Sequence, residues 1–213
     1  MKYFVAISSL IVGLTGAFLA RVENAQGLES ATVPQFYAQS QSLPVLTPTT
    51  PAAVEKLNQG LAFIQQGELD QAIASFQEAA KLNKQLAAAH YNLGLALRQK
   101  GQLQNAADAF YRAIQADPNF TLAFANLGAA LLEGKNFPQA KEYLTLALEQ
   151  NPQMGLGHYN LGLVLIQLGE IEQAIVSFRE AVKYSPNAPE PSYYLGQIYL
   201  RQNNLEDAKT AFQ

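Results

Sequence analysis

The chain has 213 residues, 49% apolar and 15% charged, enough to bury a sizeable core in one or two domains. Fourteen Lys and Arg against 17 Asp and Glu leave a formal charge of −3, which excludes a strongly basic face built for phosphate backbones. Cysteine is absent, so disulfides, thiolate metal sites, a cysteine nucleophile and a lipid-modified cysteine are excluded together.

Met1-Lys2 precedes an uncharged stretch from Tyr3 to Ala20, closed by Arg21. A positive start and an apolar run are the pattern of a secretory signal or of a short membrane anchor. Residues 1–27 are therefore expected to be a signal peptide or membrane anchor, with a possible tether through residues 3–20. Either outcome predicts a protein that is exported, to a periplasm or equivalent space, or anchored by this helix. The small residues at Ala25-Gln26-Gly27 offer a cleavage site; the length of the run favours retention. Residues 28–52 follow, with Pro34, Pro44, Pro48 and Pro51 among Ser, Thr and Gln and Glu29 as the sole charge. That composition cannot offset its ordering entropy by burial, so it reads as a disordered spacer.

From residue 53 the chain is periodic. Gly60, Gly94, Gly128, Gly162 and Gly196 lie 34 residues apart, as do Ala72, Ala106, Ala140, Ala174 and Ala208. Phe76, Phe110, Leu144, Phe178 and Phe212 make a third series, and Ala79, Ala113, Ala147 and Ala181 a fourth. With glycine near 7% of residues, four further glycines in phase arise by chance about 2 times in 100,000. Within a unit the apolar residues recur at helical spacing in two blocks, such as Leu93, Ala96, Leu97 and then Leu103, Ala106, Ala107, Phe110, Ala113 and Ile114. Gly101 separates the blocks as a glycine beyond a helix end does, and Pro118, Pro152 and Pro186 stop the second block at one phase. Each unit is thus two antiparallel helices. Gly and Ala clear space where the backbones approach, and Phe or Leu fills the gap beside them. One hairpin cannot bury its apolar faces alone, so neighbours must stack into an all-α solenoid of hairpins.

The motif Leu93-Gly94, Leu97, Ala106, Phe110, Ala113 and Pro118 resembles the tetratricopeptide repeat family, with five units expected at 53–86, 87–120, 121–154, 155–188 and 189–213, the last incomplete. The departures are local. Lys84 stands for the terminal proline of the first unit and predicts a looser exit. Lys135 takes the turn-glycine place in the third, with Gly134 one residue early, and Asn136 and Pro138 are expected to cap and open the next helix. Asn203 takes the turn-glycine place in the fifth. Phe212 falls in a second helix close to Gln213, which predicts a frayed or truncated end over a designed dimer interface.

Reactive chemistry is nearly absent from the pattern. His90 and His158 share one repeat position two units apart, about 20 Å by helix stacking, too far to share a metal and better read as packing. The glycines around Gly128 to Lys135 and Gly155 to Gly157 fit neither a phosphate loop nor a dinucleotide fingerprint. No nucleophile, base and orienting group come together, so no enzyme activity, cofactor, metal or nucleic-acid ligand is expected.

The resemblance implies a right-handed superhelix whose first helices line a concave groove that holds a peptide or helix of a protein partner. Residues 5, 9 and 12 of each unit then face the groove: Tyr91, Leu95 and Arg98; Leu132; Tyr159, Leu163 and Ile166; Tyr193 and Gln197, with Ala125, Ala129 and Leu200. The tyrosines either meet a partner or fill gaps between neighbouring first helices. Chaperone-docking members hold a carboxylate with Lys and Asn at positions 5 and 9, but Leu57, Leu61, Tyr91 and Leu95 stand there, so an amphipathic helix or apolar segment is the better ligand. The expected function is a non-catalytic scaffold, with assembly of an envelope or membrane complex as its expected setting. A targeting arm of a larger enzyme and a self-associating structural element are the alternatives.

Overall fold

The computed structural model describes residues 50–213; the segment read as a signal or anchor and the spacer up to residue 49 lie outside the described residues. Ten helices follow one another with no strand among the described residues. They are α1 Pro51–Gln66, α2 Leu69–Leu82, α3 Ala87–Gln99, α4 Leu103–Ala116, α5 Thr121–Glu133, α6 Phe137–Gln150, α7 Gly155–Gln167, α8 Ile171–Tyr184, α9 Pro189–Arg201 and α10 Leu205–Ala211. Odd and even helices pair as hairpins, each even helix also packs on the next odd one, and α5 touches both α3 and α7. The result is a solenoid of α-hairpins. Pro51 and Ala52, read as linker, form the first turn of α1, because proline at the start of a helix has its φ already set and no N–H to satisfy.

The turn inside each hairpin is built once and repeated. Gly67, Gly101 and Gly169 adopt left-handed φ of 78°, 76° and 77°, and Lys135 and Asn203 hold the same place at 61° and 57°. Each turn returns two backbone bonds to the preceding helix, as in Gly101 N–H to the Arg98 carbonyl and Gln102 N–H to the Leu97 carbonyl, both 2.9 Å. The Asn136 expectation is corrected: its side chain does not accept from the α6 backbone but donates to Gln139 Oε1 at 2.5 Å. Pro138 does sit in the first turn of α6.

Between units a second turn recurs. The Asn83, Asp117 and Asn151 side chains accept from the N–H two residues on, at 2.9, 3.0 and 3.1 Å. This explains why Lys84 does not loosen the first exit: the Asn83 turn is intact, and the Lys84 carbonyl is tied to His90 Nε2 at 3.0 Å.

The core sits where the helices of a hairpin cross. Ala72, Phe76 and Ala79 are fully buried, and so are Ala106, Phe110 and Ala113, Ala140, Leu144 and Ala147, and Ala174, Phe178 and Ala181. A Cβ on Gly94 would lie 2.6 Å from the Phe110 ring, and one on Gly162 would lie 2.6 Å from that of Phe178. Glycine on the odd helix and a large residue on the even one are a single packing unit.

Candidate partner-binding face

Helical spacing puts positions 5, 9 and 12 of each odd helix on one stripe. Leu95, Arg98, Leu132, Ile166 and Gln197 are half-buried there, and Tyr193 is 53% exposed. Tyr91, Tyr159 and Leu163 are not groove-lining surface: they are only 6%, 3% and 6% exposed. The physical reason is aromatic packing within each unit and, for Tyr159, onto the next. The Tyr91 ring lies 4.7 Å from that of Phe120 and 5.8 Å from that of Phe110, and Tyr159 lies 6.0 Å from Tyr194 and 6.1 Å from Phe178. Burial pushes the Tyr91 phenol up to about 12 and raises that of Tyr159 further, where the Tyr194 hydroxyl and the Glu190 carboxylate add to it. Both tyrosines therefore stay neutral and form the floor beneath the stripe. Ala125 and Ala129 are buried in the same way.

The Arg98 charge on this face is neutralised internally. Arg98 donates to Glu133 Oε1 through Nε at 2.9 Å and Nη2 at 2.6 Å, and through Nη1 to Asn126 Oδ1 at 3.2 Å. Asn126 in turn donates to the Tyr91 hydroxyl at 3.2 Å and to the Leu122 carbonyl at 2.9 Å. The network crosses from α3 to α5, so Arg98 acts as a bridge between units. At the next junction Ala125 and Leu132 take the places of Tyr91 and Arg98, and Asn160 Oδ1, buried, has no hydrogen-bond partner among the described residues.

The stripe opens at its ends. Leu61 and Ile64 on α1 are 37% and 36% exposed, and Leu200 on α9 is 45% exposed. Leu61 and Ile64 were missed as groove residues, although applying the 5, 9 and 12 register to the first unit selects them.

His90 is buried and His158 half-buried, and each ring bonds through Nε2 to a carbonyl six residues earlier, Lys84 or Pro152. Both are turn clamps. Burial lowers the His90 imidazole below its ordinary value, and Arg112 adds to the effect. Among the described residues no three His, Asp or Glu side chains are grouped to hold a metal, and no helix is long and apolar enough to cross a membrane.

Comparison with known proteins matches this geometry to one family. Models of the tetratricopeptide repeat match residues 57–119 and 97–159, and a TPR repeat model matches residues 162–203. No curated protein sequence matches. Among solved structures, MamA 41-end from Desulfovibrio magneticus RS-1 is 24% identical, with a TM-score of 0.71 over 77% of this chain and 93% of its own. YrrB, described as a TPR protein with an unusual peptide-binding site, is 25% identical, with a TM-score of 0.65 over 75% of this chain and 82% of its own. The pilF protein of Pseudomonas aeruginosa is 22% identical, with a TM-score of 0.67 over 75% and 73%. Five glycine-phased hairpins, the left-handed turns between their helices and these three matches lead to one conclusion: the chain belongs to the tetratricopeptide repeat family.

Proposed function

We propose that this protein is a non-catalytic scaffold that binds a peptide or helix of a partner protein along its odd-helix face. One observation carries the reading. Four of the nine exposed large apolar side chains among the described residues, Leu61, Ile64, Tyr193 and Leu200, fall on positions 5, 9 and 12 of odd helices, at the two ends of a stripe otherwise formed by half-buried Leu95, Leu132 and Ile166. Apolar surface arranged in line is a partner site more often than a solvent face. The paired Arg98 and Glu133 leave that stripe without a free charge at its centre, which suits an apolar or amphipathic segment. YrrB, which shares the fold, is described with a peptide-binding site.

The apolar stretch from Tyr3 to Ala20 supports an exported or membrane-tethered setting, and so a role in holding together an envelope or membrane complex. Amino-terminal sequencing of the mature chain and fractionation of cells test that part. For the face itself, the test is affinity capture from native membranes by the full chain and by two paired variants, Leu61→Asp with Ile64→Asp and Tyr193→Asp with Leu200→Asp. Loss of the same captured protein in both, at unchanged helicity, is the expected result. Undiminished capture in both would move the interface off this face.

A further inference from the structure

We infer that the cleft between α7 and α9 is a docking pocket for a partner segment that presents an apolar side chain beside a carboxylate, the carboxylate being taken by Arg201. The inference rests on the odd-helix face as the partner-binding face and specifies where on it, and by what chemistry, a ligand is recognised.

The cleft between successive odd helices recurs at one register along the stack, and at two of these junctions it is closed. Between α3 and α5, Arg98 lies across it, held by Glu133 and Asn126. Between α5 and α7, Leu132 replaces Arg98 and Phe137 replaces Leu103, and both pack onto Ala140, Leu144 and Val164. Between α7 and α9 neither device is present. Ile166 stands where Arg98 and Leu132 stood, and Ile171 where Phe137 stood, and a cleft of about 240 Å³ remains. Ile166, Ile171, Tyr194 and Ile198 wall it, with Gln197 and Arg201 among its polar groups. An apolar cavity of roughly 150 Å³ already admits a benzene ring, so a branched or aromatic side chain fits.

The charge at the rim is inverted relative to the closed cleft. Glu133, which answers Arg98 from within the chain, is replaced at its register position by Arg201. Arg201 makes no ion pair among the described residues. The nearby Gln202 amide donates to Glu172 Oε1 at 3.1 Å, which gives that carboxylate a partner of its own. A guanidinium beside apolar walls lacks the group that its counterpart finds internally, and a carboxylate supplies it through paired, charge-assisted bonds. The ligand chemistry is therefore Leu, Ile or Phe next to Asp, Glu or a free carboxyl terminus.

The test pans random peptides displayed on phage against the full chain and measures the enriched peptides, made synthetically, by fluorescence polarisation. Enriched peptides are expected to share an apolar residue beside an acid. Replacing that acid by its amide should weaken binding to the wild type about tenfold. It should have no effect on Arg201→Gln, whose exposed position leaves folding intact. Ile166→Arg, which installs here the side chain that fills the α3–α5 cleft, should abolish binding, with circular dichroism confirming helicity. Enriched peptides that bind equally well to Arg201→Gln and Ile166→Arg would overturn the pocket and leave the odd-helix face standing. No enrichment of any peptide would overturn both.

Discussion

Lys135 holds a left-handed backbone at φ 61° while Gly134 beside it sits at −75°, so the third hairpin has its glycine one residue out of place. A side chain in that conformation costs about 1–2 kcal/mol, and part of the gain from removing it is offset by the freer unfolded chain. Lys135→Gly should therefore stabilise the protein by about 0.5–1 kcal/mol in urea denaturation. The opposite sign is expected at Gly94. Alanine is the better helix former by about 1 kcal/mol, yet its Cβ would press on Phe110. Overpacking wins, and Gly94→Ala should lower stability by about 1–3 kcal/mol. His90 supplies a pH dependence. Burial favours its neutral form in the folded state, while the unfolded chain takes up the proton near pH 6.5. Its contribution is present above that pH and is lost as the pH falls through and below it. The melting temperature should fall between pH 7 and pH 5 more steeply in the wild type than in His90→Phe; identical slopes would remove His90 from the account.

At the scale of helices and their junctions, the units are held together by different chemistry at each step. The α3–α5 step is polar: Arg98 and Glu133 are 18% and 27% exposed, sheltered enough for their paired bonds to count. A double-mutant cycle with Arg98→Met and Glu133→Gln should give a coupling of about 1–2 kcal/mol, whereas the exposed Lys183–Glu180 pair should give close to none. Legibility in the sequence also divides at this scale. The 34-residue phase of Gly, Ala and Phe was readable because each residue answers a steric demand made within one hairpin. The fate of Tyr91 and Tyr159 was not, since it depends on Phe120 at the far end of one unit and on Tyr194 in the next, and one register position carries Leu, Tyr, Ala, Tyr and Tyr along the stack. The recurring Asn83, Asp117, Asn151 and Ser185 were in plain view at the same interval, and the first three make the inter-unit turn that the following proline had been credited with. Ion pairing of Arg98 was likewise hidden, because Glu133 lies 35 residues away and pairs through the stacking of helices.

The whole molecule is a quasi-one-dimensional stack in which each hairpin meets only its neighbours. Its apolar core divides accordingly: one cluster has members from Ala53 to Met154, a second from Tyr159 to Ala208, and a small third joins Ala140 and Leu144 to Val164. A shape of this kind offers a long side-chain-lined face, and the proposed partner site is the odd-helix stripe on it. A photocrosslinking amino acid placed singly at Leu95, Leu132 and Ile166 on that stripe, and at the exposed Tyr111 and Val176 on even helices, tests this most directly in cells. The stripe positions should crosslink to one common partner, and the even-helix positions should not. Crosslinks confined to Tyr111 and Val176 would contradict the account.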